Sequence, residues 1–325
     1  MTRTHGGPDA LGVPEWDFST NANACGPSPS VLAAIQQADA RHYPDPEYTA
    51  LREALAAFHG VKPGRIVLAG SASEFIGRIT AWVARAGGQR VWLPELAYGD
   101  YAEAAQTWRL ERVHDPLRAH LAWLCEPSSP LGTTEPFARR VVASGTQIVL
   151  DRAYEPLRLE GECHLDADAL DRIWQLWTPN KALGLTGVRG AYAISPSHAQ
   201  TEATALERLA PSWPLGAHAV AMLQAWVSPG AQAWLAQSRE QLREWKRIQK
   251  TWLEELGWRC LPSEANYFCA EAPCAIDADA LRARGVKLRD TRSFGLAGHW
   301  RLSVQAPLAQ AALRGALLAQ RETAT

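Results

Sequence analysis

The sequence of 325 residues has few lysines, no long apolar run and almost no net charge. Only five of its 33 basic residues are lysines, and the formal net charge is −1. Such a balance provides no electrostatic footprint for nucleic acid or for an anionic membrane. No apolar stretch approaches the roughly 18 residues that a membrane-spanning helix needs. We therefore expect a small molecule as the main partner.

The six cysteines are scattered, and no two of them form a Cys-x-x-Cys pair. This spacing argues against the usual zinc and redox motifs, so we expect reduced thiols and no metal. The first residues also lack the apolar run of a signal peptide. Together these features predict a cytoplasmic protein.

From about residue 45, short apolar strands alternate with helical sequence. Strands are predicted at 65–68, 91–93, 121–124 and 147–150. Such alternation is typical of an α/β fold with a mostly parallel sheet covered by helices. After residue 213 the pattern changes to one long predicted helix, 218–256, and then to mixed short strands and helices. We predict an N-terminal arm contributing to the small domain (1–42), a large domain (43–213) and a smaller C-terminal α+β domain (214–325).

Lys181 is the most informative lysine, because Ala, Leu and Gly residues surround it in sequence. A lysine buried in such surroundings acquires a lowered pKa and becomes a nucleophile toward carbonyls. The other four lysines lie in sequence typical of exposed helix or loop. Thr178 and Arg189, on either side of Lys181, are suited to hold a phosphate. A nucleophilic amine beside a phosphate site indicates pyridoxal phosphate held as a Schiff base, and a plain loop lysine is the alternative.

The segment from Thr178 to Gly190 resembles the cofactor-lysine motif of the aspartate aminotransferase fold family. The resemblance implies a fold type I pyridoxal-phosphate enzyme. Asp151-Arg152-Ala153-Tyr154 matches the family's Asp-x-Ala-Tyr, in which the carboxylate keeps the cofactor's ring nitrogen protonated and the tyrosine bonds its phenolic oxygen. The alternative for Asp151 is helix capping.

Two turns that follow predicted strands resemble cofactor-binding turns of the same family. The first contains Ser71, Ala72 and Ser73, whose backbone amides would bind the phosphate at a helix start. The second contains Tyr98 and Tyr101, one of which would stack on the cofactor ring, with Tyr98 the first choice. A structural turn and simple core packing are the respective alternatives.

Ser129 departs from the family pattern, since it occupies the place of an asparagine that bonds the cofactor's phenolic oxygen. A serine is shorter and offers one donor instead of an amide pair. This difference leaves room for a catalytically silent binding protein on the same fold.

Three further residues resemble family positions outside these turns. Arg301 resembles the arginine that binds the substrate carboxylate, and Arg289 lies in a segment shared with histidinol-phosphate aminotransferases, where it serves the substrate's acidic groups. Tyr43 resembles the tyrosine that reaches the cofactor phosphate of the partner subunit. The resemblance therefore implies a homodimer.

The N-terminus, with His5-Gly6-Gly7 and then the segment 17–23, resembles the threonine-phosphate decarboxylases of cobalamin biosynthesis. This resemblance implies that His5 and Asn23 contact the substrate. It also implies decarboxylation of L-threonine O-3-phosphate to (R)-1-aminopropan-2-yl phosphate. An aminotransferase acting on histidinol phosphate or a related amino compound is the alternative on the same fold.

Overall fold

The computed structural model describes residues 5–142 and 146–324, with side chains described up to residue 322. The first four residues of the predicted arm and the last residue of the predicted small domain lie outside the described residues. The strands are β1 (Trp16–Asp17), β2 (Ile66–Ala69), β3 (Arg90–Trp92), β4 (Glu111–Val113), β5 (Leu121–Cys125), β6 (Gln147–Asp151), β7 (Trp174–Trp177), β8 (Ala191–Ile194), β9 (Arg259–Cys260), β10 (Tyr267–Glu271), β11 (Val286–Lys287), β12 (Arg289–Asp290) and β13 (His299–Ser303). The α-helices are α1 (Pro29–Gln36), α2 (Thr49–His59), α3 (Ala72–Arg85), α4 (Gly99–Thr107), α5 (Ala138–Val142), α6 (Ala167–Asp171), α7 (Gln200–Arg208), α8 (Ala217–Trp226), α9 (Pro229–Glu255), α10 (Ala278–Ala283) and α11 (Pro307–Ala324). Short 3-10 helices lie at Pro63–Arg65, Pro116–Arg118, Glu155–Leu157 and Arg292–Phe294.

Seven strands of the described chain form the large sheet, in the order β2-β8-β7-β6-β5-β3-β4. All of them run parallel except β8, which pairs antiparallel with both β2 and β7. The predicted α/β class with a mostly parallel sheet is confirmed. The sequence patterns did not predict β4, β7 and β8, although every residue of β7 and β8 is buried.

Alternate residues of the central strands pack on opposite faces of the large sheet. Leu121, Trp123 and Val149 belong to one buried cluster, whereas Leu124 and Ile148 belong to another. Because successive side chains of a strand point to opposite faces, both faces must be covered by other elements. This explains why these strands are continuous apolar runs.

A smaller antiparallel sheet has the order β12-β13-β10-β9, and β1 of the arm pairs in parallel with β11. The arm is therefore tied to the C-terminal part of the chain. Its pairing begins where Trp16 and Asp17 lie beside Val286 and Lys287.

The predicted single helix over 218–256 is wrong, because two helices, α8 and α9, occupy that region. The Ser228 side chain accepts a hydrogen bond from the Ala231 N–H, at 3.3 Å. Pro229 takes the first helical position, where its missing N–H costs nothing. A new helix start is thus encoded at Ser228-Pro229.

A buried ion cluster connects the large sheet to the segment that leads into β10. Arg158 lies 3.1 Å from Glu126 and 2.9 Å from Glu155, and it also pairs with Glu264. The Glu126 side chain is fully buried. Since a buried carboxylate is costly without a partner, Arg158 is what makes this arrangement stable.

Candidate active site

A cavity of about 650 Å³ lies at the carboxyl ends of the parallel strands of the large sheet, where ligands bind in open α/β sheets. Fourteen of the sixteen residues that the sequence patterns assign to the site line it. They are His5, Ser71, Ala72, Ser73, Tyr98, Tyr101, Ser129, Asp151, Tyr154, Thr178, Lys181, Arg189, Arg289 and Arg301. The other two, Asn23 and Tyr43, lie elsewhere.

Asp151 is the last residue of β6 and is 5% exposed. Its carboxylate accepts hydrogen bonds from the Tyr101 hydroxyl at 2.7 Å and from the Ala153 N–H at 2.9 Å. Burial raises the pKa of Asp151, and the Tyr101 hydrogen bond opposes this rise. A buried carboxylate of this kind is suited to pair with a cationic ring nitrogen.

The two tyrosines at the start of α4 have different environments. Tyr101 is fully buried, and its ring stacks on Trp123 with a centroid distance of 4.5 Å. Tyr98, the residue before the helix, is half-buried and faces the cavity. Its hydroxyl donates to Asp100 at 3.0 Å. The geometry favours Tyr98 as the ring that contacts a ligand, while the buried Tyr101 donates a hydrogen bond to Asp151.

Lys181 follows β7 in an irregular loop, and its Nζ lies 5.2 Å from the centroid of the Tyr154 ring. The side chain is half-buried, so Lys181 is less buried than its Ala, Leu and Gly neighbours in sequence suggested. Gly184 keeps the loop close to the arm, because a Cβ there would lie 2.5 Å from the Gly26 carbonyl oxygen. The loop thus presents the Lys181 amine to the cavity.

Lys246 is the lysine that the fold buries, contrary to the expectation of an exposed helical residue. It is 3% exposed, lies 3.1 Å from Glu160, and donates to the Ser263 carbonyl oxygen. Burial lowers the pKa of Lys246, and Glu160 opposes this shift. These contacts show that Lys246 attaches α9 to the neighbouring segments and is not part of the cavity.

The arm contributes Asn21 to the cavity, and not Asn23 as the sequence patterns suggested. The Asn21 amide donates to the Tyr154 hydroxyl at 3.2 Å. The Asn23 amide donates to the Ala182 carbonyl oxygen at 3.0 Å, and its own oxygen accepts from the Cys25 N–H at 3.0 Å. Asn23 therefore holds the arm against the Lys181 loop. Two asparagines so close in sequence gave no signal of which one enters the cavity.

The start of α3 and the residues flanking Lys181 form the end of the cavity predicted to bind phosphate. The Ser71 side chain caps α3 by accepting from the Glu74 N–H at 3.1 Å. The N–H groups of Ala72 and Ser73 precede the first intrahelical bonds and remain available at the positive end of the helix. Thr178 is buried on the same cavity wall, and Arg189 is exposed at the rim.

Ser129 and the two predicted substrate arginines lie in one region of the cavity. Arg301 donates to the Ser129 hydroxyl at 3.3 Å, and Arg289 donates to the Ser293 hydroxyl at 2.7 Å. Both arginines are 6% exposed. Ser129 thus accepts a hydrogen bond from Arg301, a contact that the sequence patterns did not predict.

Tyr43 is 77% exposed and lies outside the cavity of its own chain. Its ring stacks on Trp213 with a centroid distance of 4.5 Å. The Trp213 indole donates to the Pro44 carbonyl oxygen at 3.0 Å, which fixes this exposed aromatic pair. Tyr43 is therefore an exposed ring that packs on Trp213 at the surface.

Several buried polar atoms of the cavity have no hydrogen-bond partner among the described residues. They are Asn21 Oδ1, Thr178 Oγ1, Asn180 Oδ1 and Arg301 Nε. Buried polar atoms are normally paired, so these acceptors and donors fit a polar ligand. A phosphate near Thr178 and an aromatic ring with a cationic nitrogen at Asp151 are compatible with pyridoxal phosphate. Sequence reasoning did not select Asn180.

The histidines, cysteines and carboxylates of the described residues form no cluster suited to a metal ion. None of the described helices combines the length and the apolar character needed to cross a membrane.

Comparison with known proteins shows what the chain is similar to. The family model described as aminotransferase class I and II matches residues 14–319. Histidinol-phosphate aminotransferase from Symbiobacterium thermophilum is 31% identical, over 89% of this chain and 86% of the relative.

Two solved structures show the same fold. Histidinol-phosphate aminotransferase from Sinorhizobium meliloti, in complex with pyridoxal-5'-phosphate, matches with a TM-score of 0.74 and 26% identity, over 91% of this chain and 88% of the other. L-threonine-O-3-phosphate decarboxylase from Porphyromonas gingivalis matches with a TM-score of 0.75 and 20% identity, over 94% of this chain and 99% of the other. At this last identity the likeness concerns the fold alone.

Proposed function

Since the chain belongs to the aminotransferase class I and II family and uses pyridoxal 5'-phosphate, we propose that it acts on an amino compound that carries a phosphate. When bound, this cofactor withdraws electrons from the bonds around the amino-bearing carbon of the substrate. The chain's own residues supply binding, orientation and charge. Lys181 would hold the cofactor's aldehyde carbon, and Asp151 would keep the ring nitrogen protonated.

The remaining cofactor contacts follow from the cavity walls. Thr178, Arg189 and the amides of Ala72 and Ser73 would hold the phosphate. Tyr98 would cover the ring, since Tyr101 also lines the cavity but is fully buried and stacked on Trp123. Tyr154, oriented by Asn21, would donate to the phenolic oxygen in place of the asparagine that Ser129 replaces.

For the reaction, we propose decarboxylation of L-threonine O-3-phosphate. The observation that carries this proposal is the placement of Arg289 and Arg301, two buried neighbouring cations in one cavity. A substrate with both a carboxylate and a phosphate would engage the two guanidinium groups at once. His5 also lines the cavity, which supports the role that the N-terminal resemblance implies. In this reaction the bond to the carboxyl carbon breaks, CO2 leaves, and a proton takes its place.

Amino-group transfer is the second candidate, and the names of the similar proteins favour it over decarboxylation. The relative that is 31% identical and the structure that is 26% identical are both histidinol-phosphate aminotransferases. Histidinol phosphate has one anionic group, so it would engage one arginine. The keto acid that accepts the amino group could use both.

One experiment separates the candidates. Purified protein loaded with pyridoxal phosphate is incubated with L-threonine O-3-phosphate or with histidinol phosphate plus 2-oxoglutarate, while CO2 and glutamate are measured. CO2 from the first mixture supports decarboxylation, and glutamate from the second supports transfer. Lys181→Ala is the control, which should lose both products and the visible absorption of the bound cofactor. If the unaltered protein shows neither product nor cofactor absorption, the result supports the remaining hypothesis, a catalytically silent binding protein.

The homodimer also belongs to this proposal. Tyr43 is exposed, packs on Trp213 and lies outside its own cavity, which supports its implied role at the partner's cofactor. We expect a dimer in analytical ultracentrifugation. Tyr43→Phe should weaken cofactor binding without changing the sedimentation coefficient, since only the hydroxyl is removed.

A further inference from the structure

Arg289 and Arg301 are direct cross-strand neighbours, paired in register where β12 meets β13. Their side chains share one region of the cavity, and each is 6% exposed. Like charges directly opposite each other on antiparallel strands repel, and burial strengthens the repulsion. Arg301 lies 5.5 Å from the Tyr267 ring centroid and donates to the Ser19 carbonyl oxygen at 3.2 Å, while Arg289 donates to the Asp290 carbonyl oxygen at 3.0 Å. These partners hold the two guanidinium groups separately.

The Phe294 ring contacts both of them. The central guanidinium carbon of Arg289 lies 4.8 Å from the ring centroid, and that of Arg301 lies 5.3 Å from it. Both distances are within the range of about 6 Å in which an aromatic face attracts a cation. Phe294 itself is 8% exposed and lines the cavity.

The backbone fixes the position of this ring. Phe294 ends the 3-10 helix Arg292–Phe294, and Gly295 follows with φ of 89°, a conformation that favours glycine. The Thr291 hydroxyl donates to the His299 carbonyl oxygen at 2.7 Å, which closes the loop onto β13. The ring is thus placed by the turn and not by the arginines.

Each arginine has its own hydroxyl partner but shares the aromatic ring with the other. Ser293 accepts from Arg289, and Ser129 accepts from Arg301. The pKa of Arg289 is lowered to about 10, first by burial and then by the charge of Arg301. The two guanidinium groups therefore repel each other while both contact the Phe294 ring.

We propose that Phe294 is a positioning residue that holds Arg289 and Arg301 at one fixed spacing, and so makes the cavity selective for ligands with two anionic groups. This inference rests on the proposed function, in which the two arginines bind the substrate. The inference assigns a role in substrate selectivity to Phe294, although this side chain has no polar atom that could bind the substrate. A ligand with one anionic group needs one correctly placed arginine and is little affected by the spacing.

The test compares Phe294→Leu with Phe294→Tyr, since leucine removes the aromatic face and tyrosine keeps it. With L-threonine O-3-phosphate as substrate, Phe294→Leu should raise KM about 5- to 30-fold, which corresponds to the loss of two cation–aromatic contacts. The value of kcat should change much less. Phe294→Tyr should restore the KM. For L-threonine, which lacks the phosphate, KM should be nearly the same in all three proteins.

Phe75→Leu is the matched control, because Phe75 contacts Arg78 at 5.8 Å within α3 and outside the cavity. It should leave the ratio of the two KM values unchanged. Equal increases for both substrates in Phe294→Leu, or no increase at all, would overturn the inference.

Binding measurements keep this test separate from the proposed reaction. Calorimetric titration of the cofactor-loaded protein with glutarate and with butyrate compares a dianion with a monoanion, whether or not the protein turns over. Weaker binding of glutarate alone in Phe294→Leu supports the inference. An equal loss for both anions, or unchanged binding of both, contradicts it even if the proposed reaction is correct.

Discussion

Tyr101→Phe should weaken cofactor binding although Tyr101 is not the tyrosine proposed to cover the cofactor ring. The substitution removes the hydroxyl that donates to Asp151 at 2.7 Å and keeps the ring stacked on Trp123. A hydrogen bond to a charged group contributes about 1.5–3 kcal/mol. Because both partners are fully buried, solvent does not replace the lost donor. The bond exists without the cofactor, so affinity changes through the ionisation of Asp151. Where the carboxylate is protonated in the variant, cofactor affinity should fall by up to about 10- to 150-fold.

The loss should depend on pH in a defined direction. Burial raises the pKa of Asp151, and the Tyr101 hydroxyl lowers it, so removing that hydroxyl raises the pKa further. The ionised carboxylate, which pairs with the cofactor's ring nitrogen, then forms only at higher pH. The deficit in affinity should be largest on the acidic side and shrink as the pH rises.

The assay is a titration of the apoprotein with pyridoxal phosphate, followed by tryptophan fluorescence across a range of pH. Tyr98→Phe is the matched control, since its hydroxyl bonds Asp100 and not Asp151. The acidic limb of its affinity profile should coincide with that of the unaltered protein. The reasoning is refuted if Tyr101→Phe leaves the acidic limb unmoved, or if Tyr98→Phe moves it equally.

Three further substitutions separate ligand binding from stability. Thr178→Val should weaken cofactor affinity about tenfold, in fluorescence titration, without destabilising the apoprotein, because the lost hydroxyl is buried and unpaired. Asn23→Ala should lower the free energy of unfolding in urea by about 1–3 kcal/mol, because it leaves the Ala182 carbonyl oxygen without its donor, and KM should not change. Arg158→Met should lower the free energy of unfolding by about 3–5 kcal/mol, since it leaves Glu126 buried without its cation.

Each of the three has an outcome that contradicts it. A less stable Thr178→Val apoprotein would mean that the hydroxyl has a partner in solution. A raised KM in Asn23→Ala would place Asn23 at the substrate. For Arg158→Met the control is Arg247→Met, which removes an exposed ion pair with Glu244. If both variants unfold at the same urea concentration as the unaltered protein, the buried ion cluster does not contribute to stability.

Much of the site could be predicted because parallel strands end at a common edge. Ser71 follows β2, Ser129 follows β5, Asp151 ends β6, and Lys181 follows β7. Strand periodicity therefore indicates that Ser71, Ser129 and Asp151 converge. Because β7 was not predicted, Lys181 was identified from its own segment and not from a strand end. The antiparallel strand β8 was also not predicted. Because it runs in the opposite direction, its amino end lies at the edge where the parallel strands have their carboxyl ends.

The remaining errors arise where tertiary packing decides between similar residues. Lys246 lies on a helix whose sequence is typical of an exposed surface, and only the approach of Glu160 and the Ser263 carbonyl oxygen buries it. The two tyrosines at α4 were equally open to core packing in the sequence, and only the structure shows that Tyr101 is fully buried while Tyr98 is half-buried. Such choices depend on long-range contacts that have no local sequence signal.

The parallel pairing of β1 with β11 has a consequence for the order of folding. The arm that brings His5 and Asn21 to the cavity has its strand partner at Val286–Lys287, near the other end of the chain. During synthesis the large sheet can form early, whereas the arm must wait for that partner to leave the ribosome. Tight capture of the cofactor should therefore be one of the last events in the maturation of this protein, and nascent chains that end before β11 should not retain it.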